Sequence, residues 1–157
     1  MATYLKKANK KIEESDRNIT DVVRGILDRI RSHGESEVQK LAAEFDNWTR
    51  DFVLDQQEIE ALIDTVPQRA KDDIQFAYDQ VYGFAVKQRE SMRAFEVELY
   101  TGVTLGQRLV PCQCTGCYVP GGRFAHAASA IMSVATAKAA GVPFIVACTP
   151  PRGNSIN

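Results

Sequence analysis

The sequence has no apolar run that approaches the length of a membrane span, and no apolar stretch of signal-peptide length follows its basic first residues. It also has no excess of one charge, because 19 lysines and arginines nearly balance 20 aspartates and glutamates, for a net charge of -1. A chain this close to neutral offers no electrostatic field that attracts nucleic acid or an anionic membrane. We therefore expect neither partner and predict a cytoplasmic protein.

Metal-ligating side chains are scarce, with two histidines and four cysteines in 157 residues. Cys112, Cys114 and Cys117 form a C-x-C-x-x-C pattern, whereas Cys148 lies far along the chain. A structural zinc site usually takes two ligands from each of two such knuckles. Alternation along a strand would send Cys112 and Cys114 to one face and Cys117 to the other, which suits packing better than chelation. Reduced, partly buried thiols are therefore favoured over a zinc knuckle.

The first part of the chain carries amphipathic helices, in a sequence whose 45% apolar and 25% charged residues are typical of a packed domain. Local signals predict a first helix that ends at His33-Gly34, a second over residues 35–45, a third that begins with a capping box at Asp55 to Glu58, and a fourth over residues 68–91. Apolar residues at helical spacing form one stripe on each helix, which predicts a packed face. These are Ile19, Val22, Val23, Ile26, Leu27 and Ile30 in the first; Val38, Leu41, Ala42 and Phe45 in the second; Ile59, Leu62, Ile63 and Val66 in the third; and Ala70, Ile74, Ala77, Tyr78, Val81, Phe84 and Ala85 in the fourth. For the fourth helix, core packing or a seam with a partner helix is favoured over a cofactor platform.

After Arg93 the apolar period changes to two, which predicts a strand that begins near Phe95 and has one wet face. Glycines then interrupt the pattern, and residues 103–110 are predicted to form the second strand of an antiparallel hairpin. Next come a strand over residues 117–119, a Pro-Gly-Gly turn, a helix over residues 127–140 and a continuous buried strand over residues 144–148. The predicted inward face of this last helix is small and apolar: Ala128, Ile131, Met132, Ala135 and Ala139.

The predicted fold is therefore α/β. A helical N-terminal region over residues 1–93 acts as a cap, and residues 94–157 form the hairpin and the first βαβ unit of an incomplete Rossmann-like parallel sheet. Because a parallel sheet is normally covered on both faces, a single βαβ unit resembles the opening part of a longer enzyme.

The turn between the first parallel strand and its helix is the candidate binding site. Glycines such as Gly121 and Gly122 let the backbone approach a bound group, and the free amides of a helix start favour an anion such as a pyrophosphate. A Gly-Gly turn of this kind is also common as a plain connection between strand and helix. Local pattern alone leaves both interpretations open.

Several short segments of the chain are distinctive: Ser32-His33-Gly34-Glu35, Glu44-Phe45-Asp46, Glu98 to Val103, Tyr118 to Gly122, Thr136 to Val142 and Cys148-Thr149-Pro150-Pro151. Together they resemble the N-terminal part of the histidinol dehydrogenase family over nearly the whole chain. The turn with its following helix is the most specific of them. Phe45-Asp46-Asn47-Trp48 and Gly122-Arg123 look more like the branch that includes sulfopropanediol dehydrogenase than like the histidine-biosynthetic branch.

The resemblance implies a homodimeric, NAD- and zinc-dependent dehydrogenase that oxidises a small primary alcohol through an aldehyde to a carboxylate. In that family the tyrosine of this turn contributes to NAD binding, so Tyr118 is the residue carried over. We predict Pro120, Gly121 and Gly122 as the rest of the cofactor-binding turn. The substrate stays open between histidinol and a sulfonated diol.

The resemblance also implies that the zinc ligands and the Glu-His pair used in acid-base chemistry lie beyond position 157. Because His33 and His126 do not lie beside a carboxylate cluster in the sequence, they cannot replace a three-ligand catalytic zinc site with a base. We therefore predict no catalytic or metal-binding residues in this chain and expect it to be inert by itself.

Two further interpretations accompany this prediction. Arg123 could bind a phosphate, a sulfonate or a carboxylate through a bidentate contact, with a surface salt bridge as the alternative. His126 is expected at the exposed start of the helix. The alternative function for the whole chain is a non-catalytic helical interaction or dimerisation module.

Overall fold

The computed structural model describes residues 12–122, 124–153 and 155–156, with side chains from residue 18 onward. The helices and strands in chain order are α1 (Ile12–His33), α2 (Glu35–Asp46), α3 (Gln56–Thr65), α4 (Gln68–Ser91), β1 (Phe95–Tyr100), β2 (Val103–Gln107), β3 (Cys114–Tyr118), α5 (Ala127–Ala139) and β4 (Phe144–Cys148). They divide into two compact units, Met1–Phe52 and Val53–Asn157. The functional boundary predicted after residue 93 stays a prediction.

The first unit is built from α1 and α2, which meet at Gly34. Gly34 has a φ of 64°, and its amide donates to the Ile30 carbonyl over 2.8 Å, as expected for a glycine that stops a helix. The unit buries Leu41, Trp48 and the charged Glu37. The indole of Trp48 donates to the Asp51 carbonyl over 3.1 Å.

The predicted buried faces of this unit are only partly correct. Leu41 is buried and Val38 and Ala42 are half-buried, but Phe45 is 59% exposed. Four residues of the predicted α1 stripe are exposed as well: Ile19, Val22, Val23 and Leu27. These residues are exposed because α2, with 12 residues, is too short to cover the 22 residues of α1.

The second unit begins with α3, whose start agrees with the predicted cap. The Asp55 carboxylate accepts a hydrogen bond from the Glu58 amide over 2.8 Å, which is the N-cap geometry that a capping box requires. No other described helix or strand of this unit packs against α3. Its predicted inward residues Ile59, Leu62 and Ile63 are therefore exposed, contrary to the prediction.

Helices α4 and α5 form the main packed layer of this unit. Four of their alanines are buried: Ala85 on α4 and Ala135, Ala137 and Ala139 on α5. Ala135 and Ala137 lie on opposite sides of α5, which packs against α4 and also against β3 and β4. The Lys138 ammonium lies 5.9 Å from the ring centroid of Tyr78 across the contact between α4 and α5. Ile74 and Phe84 of the predicted α4 stripe are exposed, and so are Ala128 and Met132 of the α5 face that was predicted to lie against the sheet. The buried side chains of the two helices are all alanines.

Strands β1 and β2 form the predicted antiparallel hairpin, with Phe95 opposite Gln107 and Val97 opposite Leu105. The second strand ends at Gln107, three residues before the predicted end at Val110. The reason is that β1 begins at Phe95 and offers no partner beyond Gln107. No other described helix or strand of this unit packs against the hairpin.

Strands β3 and β4 are parallel, in register from Cys114 opposite Phe144 to Tyr118 opposite Cys148, and α5 packs against both. This confirms the predicted βαβ unit, although β3 begins three residues earlier and ends one residue earlier than predicted. The face toward α5 buries Cys117 to 2% exposure. The opposite face is open, so the prediction that β4 is continuously buried is wrong: Phe144 is 62% and Val146 46% exposed.

None of the helices within the described residues is both long and apolar enough to span a bilayer. A cytoplasmic location stays a prediction from the sequence.

Candidate functional site

The candidate site lies where the parallel strands β3 and β4 end side by side. The Val119 amide donates to the Cys148 carbonyl over 2.8 Å and so extends the ladder one step beyond the register pair Tyr118 and Cys148. The chain then enters the Pro-Gly-Gly turn on one side and a Thr-Pro-Pro segment on the other. The carboxyl edge of parallel strands is where open α/β sheets bind their ligands.

Tyr118 is the last residue of β3 and is 65% exposed. Alternation along the strand places it on the open face, opposite to buried Cys117. Its phenol is therefore accessible at the carboxyl edge. Pro120, the next predicted site residue, is half-buried.

Gly121 does not leave open space for a bound group, contrary to the prediction from the sequence. A Cβ placed on Gly121 would overlap Cγ of Pro150 and lie 3.4 Å from Cδ and 3.6 Å from Cβ of the same ring. Gly121 is not among the residues with positive φ. Its missing side chain therefore makes room for Pro150 rather than for a bound molecule.

At Gly122 the backbone conformation, and not a neighbouring side chain, is the reason for a glycine. Its φ of 149° is a conformation that residues with a side chain rarely adopt. The atom nearest to the position of a Cβ here is Nε2 of His126, at 3.9 Å. The surface of the turn at Gly122 is therefore bare backbone, bordered by the His126 ring.

The amino end of α5 opens next to this turn. His126 is the N-cap residue, its side chain makes no capping hydrogen bond, and the first turn holds no acidic residue. Its carbonyl accepts from the Ser129 and Ala130 amides over 2.9 and 3.3 Å. The earlier amides of a helix have no acceptor within the helix and favour an anion. Arg123, predicted as a possible anion contact, lies outside the described residues.

The cysteines do not form a metal site. Cys112, Cys114, Cys117 and Cys148 are all free, and only Cys117 is buried. Within residues 12–122, 124–153 and 155–156, no group of three or more histidine, cysteine, aspartate or glutamate side chains could hold a metal ion. The described residues therefore do not fit a zinc ion.

Pro150 is the site residue that sequence reasoning missed. It belongs to the Cys148-Thr149-Pro150-Pro151 segment, which was noted only as part of the family resemblance. A signal for it was present, because two prolines one residue after a parallel strand fix the path of the chain at the carboxyl edge. Only the structure places its ring against Gly121.

Comparisons with known proteins agree with the family resemblance seen in the sequence. The family model described as histidinol dehydrogenase matches residues 9–157. Sulfopropanediol 3-dehydrogenase of Ruegeria pomeroyi is 44% identical over 149 residues, which cover 95% of this chain and 34% of that protein. A histidinol dehydrogenase homolog of Pelagibacter ubique is 43% identical over 96% of this chain and 35% of its own length. Histidinol dehydrogenase of Methanococcus maripaludis is 29% identical over 88% of this chain and 33% of its own length.

A crystal structure of histidinol dehydrogenase from Elizabethkingia anophelis has the same fold over 98% of this chain and 34% of that chain, with a TM-score of 0.75 at 23% identity. The chain thus spans about a third of the length of the relatives it matches. The family match over residues 9–157 and the shared α/β fold lead to one conclusion: this chain belongs to the histidinol dehydrogenase family.

Proposed function

We propose that this chain supplies the cofactor-binding part of an NAD-dependent dehydrogenase that oxidises a primary alcohol through an aldehyde to a carboxylate. The observation that carries the proposal is the position of exposed Tyr118 and bare Gly122 at the carboxyl edge of β3 and β4, where the chain continues to the amino end of α5. When bound, NAD supplies the hydride acceptor for each oxidation step. The chain's own residues would bind and orient it.

The chemistry of these groups suits a dinucleotide. The first amides of α5 would donate to the pyrophosphate, whose negative charge the helix end favours. Gly122 would let that group approach the backbone, because no side chain stands there. The Tyr118 phenol would pack against a ring of the cofactor and donate a hydrogen bond from its hydroxyl.

A catalytic zinc ion does not fit the residues that the structure describes. We derive no zinc-dependent step for this chain, and we propose that the 157-residue chain alone binds the cofactor without oxidising alcohol. The resemblance assigns the zinc ligands and the acid-base pair to other parts of full-length relatives.

For the substrate we favour a sulfonated diol over histidinol. The identity to sulfopropanediol 3-dehydrogenase of Ruegeria pomeroyi is 44%, compared with 29% to histidinol dehydrogenase of Methanococcus maripaludis. The residues that would contact the substrate are not identified within the described chain.

Calorimetric titration with NAD tests the proposed binding. We expect the folded chain to bind, and Tyr118→Ala to weaken the affinity about tenfold, the loss expected when one ring stacking contact is removed. Tyr100→Ala is the matched control, because Tyr100 is 77% exposed in the hairpin and its loss should leave the affinity unchanged. No heat of binding at millimolar NAD in a folded sample would contradict the proposal.

A second candidate function, a homodimerisation or interaction module, is favoured by the uncovered hairpin. Phe95 is 53%, Leu99 71% and Leu105 52% exposed. Apolar surface of this kind usually marks a site of association. We propose that these residues contact a second copy of the chain, in addition to the cofactor-binding role.

A further inference from the structure

We propose that Pro150 is a positioning residue, which holds the Tyr118–Gly122 turn in the conformation that binds the cofactor. The identity of the ligand, NAD, rests on the proposed function. The contact between Pro150 and Gly121 is present in the free chain. It connects the loop after β4 to the loop after β3 at the one edge where both strands end.

The contact between Gly121 and Pro150 leaves no room for a side chain on the glycine. A methyl group at position 121 would overlap Cγ of the proline ring. It would lie at ordinary contact distances of 3.4 Å from Cδ and 3.6 Å from Cβ of Pro150. Among the described residues, the obstacle to alanine at this position is therefore Cγ of the ring, because Gly121 does not have a positive φ.

A proline is suited to act as a fixed support. Its ring locks φ, and the residue before it is restricted to extended conformations. Pro151 follows and restrains the chain in the same way. The ring therefore occupies one place relative to β4 rather than moving aside as a flexible side chain would.

Contacts between described residues hold the turn against β4 and the loop that follows it. The first is the hydrogen bond from the Val119 amide to the Cys148 carbonyl, at 2.8 Å. The second is the packing of Gly121 on Pro150. Tyr118 precedes these contacts and is paired with Cys148 in the ladder, whereas Gly122 directly follows the second contact. Displacement of the turn therefore moves Gly122 relative to Tyr118.

The test is a double-mutant cycle made from Gly121→Ala and Pro150→Ala. Gly121→Ala should weaken NAD binding by about tenfold or more, because a displaced turn misplaces its ligand contacts. Pro150→Ala should weaken it less, since it removes Cγ and Cδ without adding a clash. The double variant should bind as well as Pro150→Ala alone, because the new methyl group then fits against the remaining Cβ. If the losses of the two single variants simply multiply in the double variant, the proposal is overturned.

The matched control is Gly83→Ala, which adds the same methyl group where no atom lies within 4 Å. It should leave the NAD affinity unchanged. Circular dichroism melting of each variant separates affinity from stability. A loss of affinity in Gly121→Ala that only follows a loss of folded protein, with no rescue in the double variant, would also overturn the proposal.

Amide NMR shifts of the free protein separate this inference from the proposed function. Gly121→Ala should shift the Gly122 amide, and Pro150→Ala in the same chain should bring it back toward its original position. If that reversal is seen but the wild-type chain does not bind NAD, the proposed function fails while the support by Pro150 stands. If the reversal is absent, the positioning role is wrong whatever the affinity.

Discussion

Glu37 is the one charged residue among the buried residues that the structure describes. Arg29 donates from Nε to one oxygen of the Glu37 carboxylate over 2.8 Å, Nη2 of the same arginine lies 2.6 Å from that oxygen, and the Lys40 ammonium lies 3.5 Å from the carboxylate. The hydrogen bond from Arg29 is the main cause that lowers the pKa of Glu37 from its ordinary value of 4.5, while burial acts in the opposite direction. The ionised carboxylate therefore connects α1 to α2.

This lowered pKa predicts how the stability of the first unit depends on pH. A carboxylate with a depressed pKa in the folded state stabilises fully above its unfolded pKa and loses that contribution as pH falls through the folded pKa. As the pH falls below about 4.5, the free energy of unfolding of the wild type should therefore decrease relative to that of Glu37→Gln. The two proteins should differ most at neutral pH and converge in acid. The single tryptophan, Trp48, reports the unfolding of this unit by fluorescence.

The control for this prediction is Asp28→Asn. Asp28 also pairs with an arginine, Arg31, over 2.9 Å, but both side chains are mostly exposed. Such a surface pair contributes little, so this variant should follow the wild-type pH curve. If Glu37→Gln keeps the full wild-type pH dependence, the ion pair does not connect the helices as described.

At single positions, local features could be predicted from the sequence but long-range contacts could not. The role of Gly34 as a helix stop could be predicted, because it depends on φ and on the adjacent turn. The burial of Glu37 could not, because an isolated glutamate gives no sign that an arginine eight positions earlier will pair with it. For Gly121 the residue was predicted but its reason was not, since Pro150 is 29 positions away and only the fold brings them together.

Whole elements were predicted better than their buried faces. Helix ends are set by local chemistry, such as the Asp55 cap or the Pro67 start of α4. Faces depend on what packs against them. The buried residues of α4 and α5 are all alanines, whereas Phe84 and Met132 are exposed. The spacing of apolar residues alone cannot show this.

Helix α3 offers a test of its cap, because no other described helix or strand of its unit packs against it. A ten-residue helix of this kind is marginal, so its cap should matter. Asp55→Ala should destabilise it by about 1 kcal/mol, which corresponds to about fivefold faster amide hydrogen exchange over Gln56–Thr65. Asp55→Asn should exchange like the wild type, because asparagine caps equally well. Unchanged exchange in Asp55→Ala would show that the hydrogen bond from the Glu58 amide contributes nothing.

At the scale of the whole molecule, the described chain leaves a large apolar surface exposed. Much of it lies on one face of the hairpin and on the open face of β3 and β4, in addition to the exposed stripes of α1 and α3. The hairpin and the pair of β3 and β4 were predicted as strands from their patterns, but a pattern shows which residues are apolar and not what covers them. A two-stranded hairpin is marginal alone in water, so cover is expected.

Self-association tests whether a second copy provides this cover. Sedimentation velocity over a wide concentration range should show a dimer that dissociates on dilution. Leu99→Lys should weaken the dimer, because it places a charge on the uncovered hairpin face. Leu109→Lys is the control, since Leu109 is 46% exposed but lies outside both strands. A chain that stays monomeric at every concentration would contradict the dimer proposal.

The most direct measurement of the central claim is an amide NMR titration of the folded 157-residue chain with NAD. The predicted result is a saturable set of shifts confined to Tyr118, Gly121, Gly122 and the first turn of α5, and its loss in Tyr118→Ala. Shifts centred on the hairpin, or a spectrum that NAD leaves unchanged, would contradict the claim that this edge of the sheet binds the cofactor.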